Sequence, residues 1–312
     1  MLKKLSLIAT SVIATLLLSE IAARFIIEPR SSGFGTGILS KQWFEEEVIY
    51  NDQGYRDSDF NLKMRENAVI MVGDSFTEGH GVKHNVNFFA IAKARFHHKE
   101  FYNIGKNGEN TFGQIKRFSD LLNEFSVEPT DVVFQYFFND IEYLEPVVFK
   151  QTHWLQSPEF VSLSNHSVLF DYLYHPYLYG TFSNEYSDNL FASFENESLF
   201  AKHLEDILKI YQLAKSSGAT FHFLAFPNIS NEKCLRDSRN SYIMQLEEFY
   251  MKHWSKGDSW IKVSDMILNM DSDLRRANKV DAHPSPEVHL EIGRILVDAI
   301  KGNENQYIHF YD

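Results

Sequence analysis

An α/β fold, with a central parallel sheet covered by helices on both faces, is what this 312-residue sequence predicts. Three observations carry the prediction. Short, mostly uncharged runs rich in β-branched and aromatic residues recur at 68–72, 101–104, 131–138, 220–226 and 260–263, and such runs read as buried strands. Between them, apolar residues fall at helical spacing over 87–96, 112–125, 198–217, 242–254 and 286–300, and strands alternating with helices make a parallel sheet. Three of the strands also stop abruptly, at Gly73, at Asn103 and at Asn139-Asp140, and the carboxyl edge of an open α/β sheet is where ligands bind.

Taken in order, the chain opens with Lys3 and Lys4 ahead of an apolar stretch from Leu5 to Ile27, whose only charges are Glu20 and Arg24 at i,i+4. That length suffices to span a bilayer, and the leading lysines would keep the amino end in the cytoplasm. Residues 1–30 are therefore expected to be a signal-anchor, with the membrane as a partner and the rest of the chain extracytoplasmic, in a periplasm or at a cell surface. The competing expectation is a cleaved signal and a secreted protein, although Ile21-Ala22-Ala23 makes a poor cleavage site.

Residues 31–66 read as a flexible stalk and extension, from the Gly- and Ser-rich stretch at 31–37 to turn chemistry at 51–57. Residues 67–312 read as one large domain with an aromatic-rich insertion at 141–195, and a 44% hydrophobic, 15% aromatic chain can bury a sizeable core. The net charge is −12, and because the first thirty residues carry a small positive excess, the remainder is more acidic still. Such a surface repels phosphate backbones and excludes nucleic acid as a partner. Cys234 is the single cysteine, so no intrachain disulfide forms.

The chemistry concentrates where strands end. Ser75 follows the first strand through Gly73-Asp74, a position that exposes a hydroxyl at the sheet edge and makes it a candidate nucleophile; a plain Ser/Asp helix cap is the simpler alternative. After the second strand, Asn103 to Thr111 holds two glycines where backbone approaches a ligand closely, and the Gly108 amide is placed to face a developing oxyanion. The third strand ends in Asn139, whose side-chain amide is a neutral donor suited to the same task. Near the carboxyl end, Asp281-Ala282-His283-Pro284 precedes a helix entered through Ser285 and Pro286. His283 supplies a base of near-neutral pKa, and Asp281, two residues before it, an acid to orient it. His289 is the fallback base, on a helix face expected to point elsewhere.

The order of these blocks, Gly73-Asp74-Ser75, the 103–111 glycine turn, Asn139-Asp140 and Asp281-Ala282-His283, resembles the SGNH (GDSL) hydrolase superfamily over roughly residues 67–302. With 51–56 and Ser75-Phe76-Thr77, it also looks like the membrane-anchored bacterial branch. The resemblance implies a flavodoxin-like three-layer α/β/α sandwich, the SGNH hydrolase fold. It also implies Ser75 as nucleophile and first oxyanion amide, Gly108 and Asn139 as the other oxyanion donors, and His283 as base. Two departures stand out: Phe137 occupies the place of the usual glycine before Asn-Asp, and the acid lies two residues before the histidine rather than three.

The expectation is thus a membrane-anchored serine esterase that removes or transfers an O-acyl group, O-acetyl foremost, on an extracytoplasmic glycan or lipid, without metal or cofactor. Two rivals stand beside it: an O-acyltransferase using the same site, and a catalytically silent glycan-binding or assembly protein. The insertion, with Tyr143, Phe149, Trp154, Phe160, Tyr179, Phe182 and Tyr186, is either a lid over the site or a satellite core.

Overall fold

The computed structural model describes residues 2–33, 35–60, 66–145, 147, 156–238, 242–303 and 305–310. Its first core element, β1 (Glu66–Val72), is flanked by β2 (Glu100–Asn103) and β3 (Glu128–Tyr136), with β4 (Thr220–Ala225) and β5 (Ser259–Lys262) following outward, all parallel. The order β2-β1-β3-β4-β5 is that of a flavodoxin-like doubly wound sheet, whose direction of winding reverses between β1 and β3. Ala68 to Val72 are at most 1% exposed, as a strand covered on both faces must be. The covering helices are α4 (Phe88–Lys93) packed with α12 (Pro286–Lys301), and α5 (Thr111–Phe125) packed with α8 (Glu197–Ser216).

The sheet does not end at β5. A short sixth strand, β8 (Ile308–Phe310), pairs antiparallel with β5. Three residues give no readable period, which is why 260–263 looked like the last strand. In the same way β6 (Arg276–Asn278) and β7 (Asp281–Pro284) form a small antiparallel pair where the sequence suggested only a loop.

The first sixty residues depart most from expectation. Helix α1 (Leu2–Ile26) is followed by a second helix, α2 (Ile38–Glu47), where a stalk was expected. The intervening segment is tied down: Ser31 and Ser32 are 1% and 3% exposed, and the Gly33 amide donates to the Val280 carbonyl at 3.0 Å. Residues 51–57 wrap the domain through two side chains. Buried Arg56 donates to the Glu47 and Val82 carbonyls at 2.9 and 2.7 Å, and to that of Gly79. Asp57 accepts from the Asn103 amide at 3.1 Å. This segment therefore pins the two loops that follow β1 and β2.

Within the insertion, α6 (Pro158–Ser164) leads into the 28-residue α7 (Val168–Glu195). Phe149 and Trp154 lie outside the described residues. Along α7 the buried side chains change partners. Tyr174 and Leu178 pack with Phe160 and Phe170 in a satellite cluster, whereas Leu190 and Phe194 enter the main core. The remaining elements, α3 (Ser75–Glu78), α9 (Glu232–Ser238), α10 (Met244–Tyr250) and α11 (Ser264–Leu268), are short.

Candidate active site

Ser75 opens the single turn of α3 directly beyond β1. Asp74 caps that turn, its side chain accepting from the Phe76 amide at 2.9 Å. Gly73 is required by crowding: a Cβ there would collide with Thr77 Oγ1 and lie 2.5 Å from Gln135 Oε1. Gln135, on β3, in turn accepts from the Thr77 hydroxyl at 2.8 Å, so the Ser75 turn is fastened to the neighbouring strand.

His283 stands on β7 opposite this turn. In a strand, residues i and i+2 project from the same face, so Asp281 and His283 point together despite their two-residue spacing. The Ser75 hydroxyl donates to His283 Nε2 at 2.8 Å, and His283 Nδ1 donates to Asp281 Oδ1 at 2.5 Å. Asp281 Oδ1 also accepts the His283 backbone amide at 3.1 Å, which fixes the imidazole's approach. Three residues from two ends of the chain thus form one line of hydrogen bonds.

The electrostatics follow from burial and from a group that no sequence pattern singles out. His80, 2% exposed, places Nε2 3.1 Å from the Ser32 carbonyl and 3.5 Å from Asp281 Oδ2, with its ring 4.2 Å from that of His283. Trp43 and Phe44 of α2 close the other side, with ring centroids at 5.8 and 5.1 Å. Burial works against a charge on Asp281, yet the imidazoles of His283 and His80 hold its carboxyl well below the usual range. His283 is lowered by burial, against the pull of Asp281 and with a further push from His80. His80, although buried, is raised because it faces Asp281. His289 is excluded as a base: its Nδ1 accepts the Phe88 amide at 3.1 Å, and burial lowers it to about 3.

The loop after β2 brings Gly108 to the cavity beside Ser75, with φ +73, a left-handed conformation that favours glycine. Buried Glu78 steadies that loop, accepting from the Asn107 amide and from the Tyr50 hydroxyl at 3.0 Å. Beyond β3, a 3-10 turn over Phe138–Ile141 turns Asn139 into the same cavity, where its amide donates to the Tyr186 hydroxyl. Phe137 packs its ring against that of Phe76, with centroids 4.2 Å apart and planes tilted by 31°, and lines the cavity, filling space that a glycine would leave open.

Asp140, next to Asn139, faces inward. It accepts from Gln114 Nε2 at 2.6 Å and from the Phe137 amide at 2.8 Å. Burial and the nearby Asp74 carboxyl raise it well above its ordinary value. Asp74 is likewise pushed up by burial, to about 7.

The cavity measures about 590 Å³ and has Ser75 and His283 in its wall. Tyr179, Phe182 and Tyr186 of α7 face them, so the helix is wall along one stretch and core along the others. Among the described residues, His80, Asp281 and His283 are the one grouping with metal-ligating atoms within 4.8 Å of one another. His283 Nδ1 donates to Asp281 Oδ1, while His80 Nε2 faces both the Ser32 carbonyl and Asp281 Oδ2.

No family model and no curated protein matches the chain. Solved structures do. The chain is similar to the psychrotrophic esterase EstA from Pseudoalteromonas sp., at 14% identity over 76% of this chain and 97% of that one, with a TM-score of 0.43. A member of the lipolytic G-D-S-L family from Veillonella parvula gives 15% identity, 75% and 96% coverage and a TM-score of 0.42. The lipase/acylhydrolase from Enterococcus faecalis gives 14%, 76% and 96%, and 0.42. The reading of the site rests on this chain's own geometry, not on these likenesses.

Proposed function

We propose that the chain is a membrane-anchored serine esterase of the SGNH type, cleaving an O-acyl ester, O-acetyl foremost, on an extracytoplasmic glycan or lipid. The observation that carries the reading is the Ser75–His283–Asp281 line of hydrogen bonds in the wall of a 590 Å³ cavity. Ser75 Oγ attacks the ester carbonyl while His283 Nε2 takes its proton. Asp281 stabilises the imidazolium that results. The carbonyl oxygen, now an anion, is received by the amides of Ser75 and Gly108 and by the Asn139 side chain. As the tetrahedral species collapses, His283 returns the proton to the departing alcohol and leaves an acyl-Ser75. Water, activated by the same imidazole, then releases the acid.

The aromatic wall from α7 supports a sugar ring or an acyl chain as the group held against Ser75. Retention of α1 is supported by contacts at its carboxyl end. Glu20 accepts from the Ser167 hydroxyl at 2.7 Å and from the Val168 and Leu169 amides at 3.1 Å, capping α7. Ala23 is buried with Leu39 and Val168. Cleavage near residue 23 would strip a helix cap from the cavity wall. We therefore read 1–30 as an anchor whose last turns belong to the hydrolase domain.

The test uses the full chain in detergent, with an aryl acetate as substrate. Turnover abolished by Ser75→Ala, in a variant that melts like the parent, is the expected outcome. Equal turnover in both proteins would reject Ser75 as the nucleophile, and no turnover in either would reject the esterase reading and leave a binding protein.

A further inference from the structure

The outer face of α7 changes character along its length. Leu169 packs against the cluster formed by Ala23 of α1, Leu39 and Val168. From there the same face continues exposed: Tyr172 at 43%, Leu173 at 63% and Tyr177 at 60%, joined by Leu163 of α6 at 47%. Three to four residues further on it turns polar, through Thr181, Asn184 and Asp188. The apolar part therefore starts where α1 touches α7 and ends about two turns later.

The contacts of α1 fix the level at which this happens. Glu20 caps the first turn of α7, and Arg24 donates to the His166 carbonyl at 2.8 Å. Phe25 and Ile26, further along α1 towards the domain, remain 87% and 76% exposed. An apolar environment around α1 must reach those two residues, so the first turn of α7 lies at its border. Tyrosine and arginine are the residues of such a border. Here Arg30 lies over the Tyr172 ring at 4.8 Å and donates to the Tyr172 carbonyl at 3.3 Å.

We propose that the Leu169–Tyr177 face of α7, with Leu163, rests on the bilayer beside the anchor, so that the chain meets the membrane twice. The inference builds on the reading of α1 as a retained anchor. The occupant of this face is the headgroup and upper acyl region of the leaflet. Tyr179 and Phe182 of the cavity wall follow immediately on the same helix, which at 1.5 Å per residue sets them about 10–15 Å along α7 from Tyr172. The cavity is thereby held at a height suited to an ester carried by a membrane-bound molecule.

Three introduced cysteines test this in the full chain, one per variant: Leu173→Cys, Tyr177→Cys and Asp188→Cys, with buried Cys234 left in place and the parent chain labelled in parallel as the background. Each is labelled with bimane and reconstituted in phosphatidylethanolamine/phosphatidylglycerol vesicles, with and without lipid carrying a nitroxide at acyl carbon 5. The expected result is quenching to about half or less at 173 and 177 and little at 188, which lies about 17 Å beyond 177 along the helix. Equal, weak quenching at all three sites in a chain that floats with the vesicles would overturn the second contact and leave the anchor intact. A chain that fails to float would overturn the anchor and this inference with it. Disulfide-linked dimers through Leu173→Cys, without quenching, would make the face a subunit contact and overturn the proposal as well.

Discussion

Two buried acidic groups flank Ser75, and they solve the problem of burial in opposite ways. On one side Asp281 lies between the imidazoles of His283 and His80 and keeps its charge. On the other, Asp140 feels the charge of Asp74, neither has an ion-pair partner among the described residues, and both are driven towards the neutral form. The first arrangement spends protein volume on partners and holds an anion ready to steady a second charge. The second serves geometry: Asp74 caps the nucleophile turn, and Asp140 ties the Phe137 amide to Gln114 beside Asn139. What separates the carboxylate held ionised from those driven towards the neutral form is the presence of a donor ring, not the depth of burial.

The sharpest way to break this comparison is to remove the charge on the first side. Asp281→Asn leaves the volume but loses the anion opposite the imidazolium and frees the ring to adopt the wrong tautomer. Turnover of an aryl acetate should fall by about 10³–10⁴-fold. The same substitution has a stability signature with a definite sign. A carboxyl held below its ordinary value stabilises the fold above that value and ceases to do so as the pH drops through the folded one. Melting temperatures of parent and variant should therefore differ at pH 7 and draw together as the pH falls through and below the usual carboxylate range. A constant difference at every pH would show that Asp281 contributes packing alone.

Which parts of these two clusters could be read beforehand follows from how local each signal is. Ser75, Gly108 and Asn139 each follow a strand of buried residues, and position at a strand's end is a property of ten or so neighbouring residues. Asp281 and His283 were legible as a pair, but not the reason they cooperate, since a four-residue strand leaves no period to detect. Helix α7 was obscured for another reason. Aromatic residues fall all around it because it meets a satellite cluster, the cavity and the core in turn, and Pro176 and Gly180 interrupt its pattern. His80 was invisible because everything that defines it, Ser32, Trp43, Asp281 and His283, lies far away in sequence. The glycines on either side, Gly79 and Gly81, were the only local hint that residue 80 sits in a tight place.

His80→Gln sharpens the comparison on a smaller scale. Glutamine keeps an N–H for the Ser32 carbonyl but removes the second ring facing Asp281. A charge on His80 disfavours one on His283, so its loss should let His283 hold a proton to higher pH. The acid limb of the kcat/KM profile should move upward in pH, and the rate on the acid side of neutrality should fall while the rate at alkaline pH is kept. An unmoved acid limb would make His80 a packing residue.

The smallest effect on turnover, and the most telling one on stability, belongs to the second cluster. Asp74→Asn keeps a carbonyl oxygen for the Phe76 amide, so the nucleophile turn should hold and activity should stay within about threefold. Its carboxyl ionises near 3.8 when unfolded but only at about 7 when folded. Between those values the unfolded chain gains from ionisation and the folded one does not, so the native protein loses stability as the pH rises, in full above pH 7. The amide escapes this loss and also relieves Asp140. The variant should therefore outlast the parent at pH 8 by an amount on the order of a few kcal/mol, with the advantage fading by pH 4. Denaturant midpoints at the two pH values measure the difference directly. A variant less stable than the parent at pH 8 would mean that Asp74 stays ionised in the fold, and the contrast between the two sides of Ser75 would collapse.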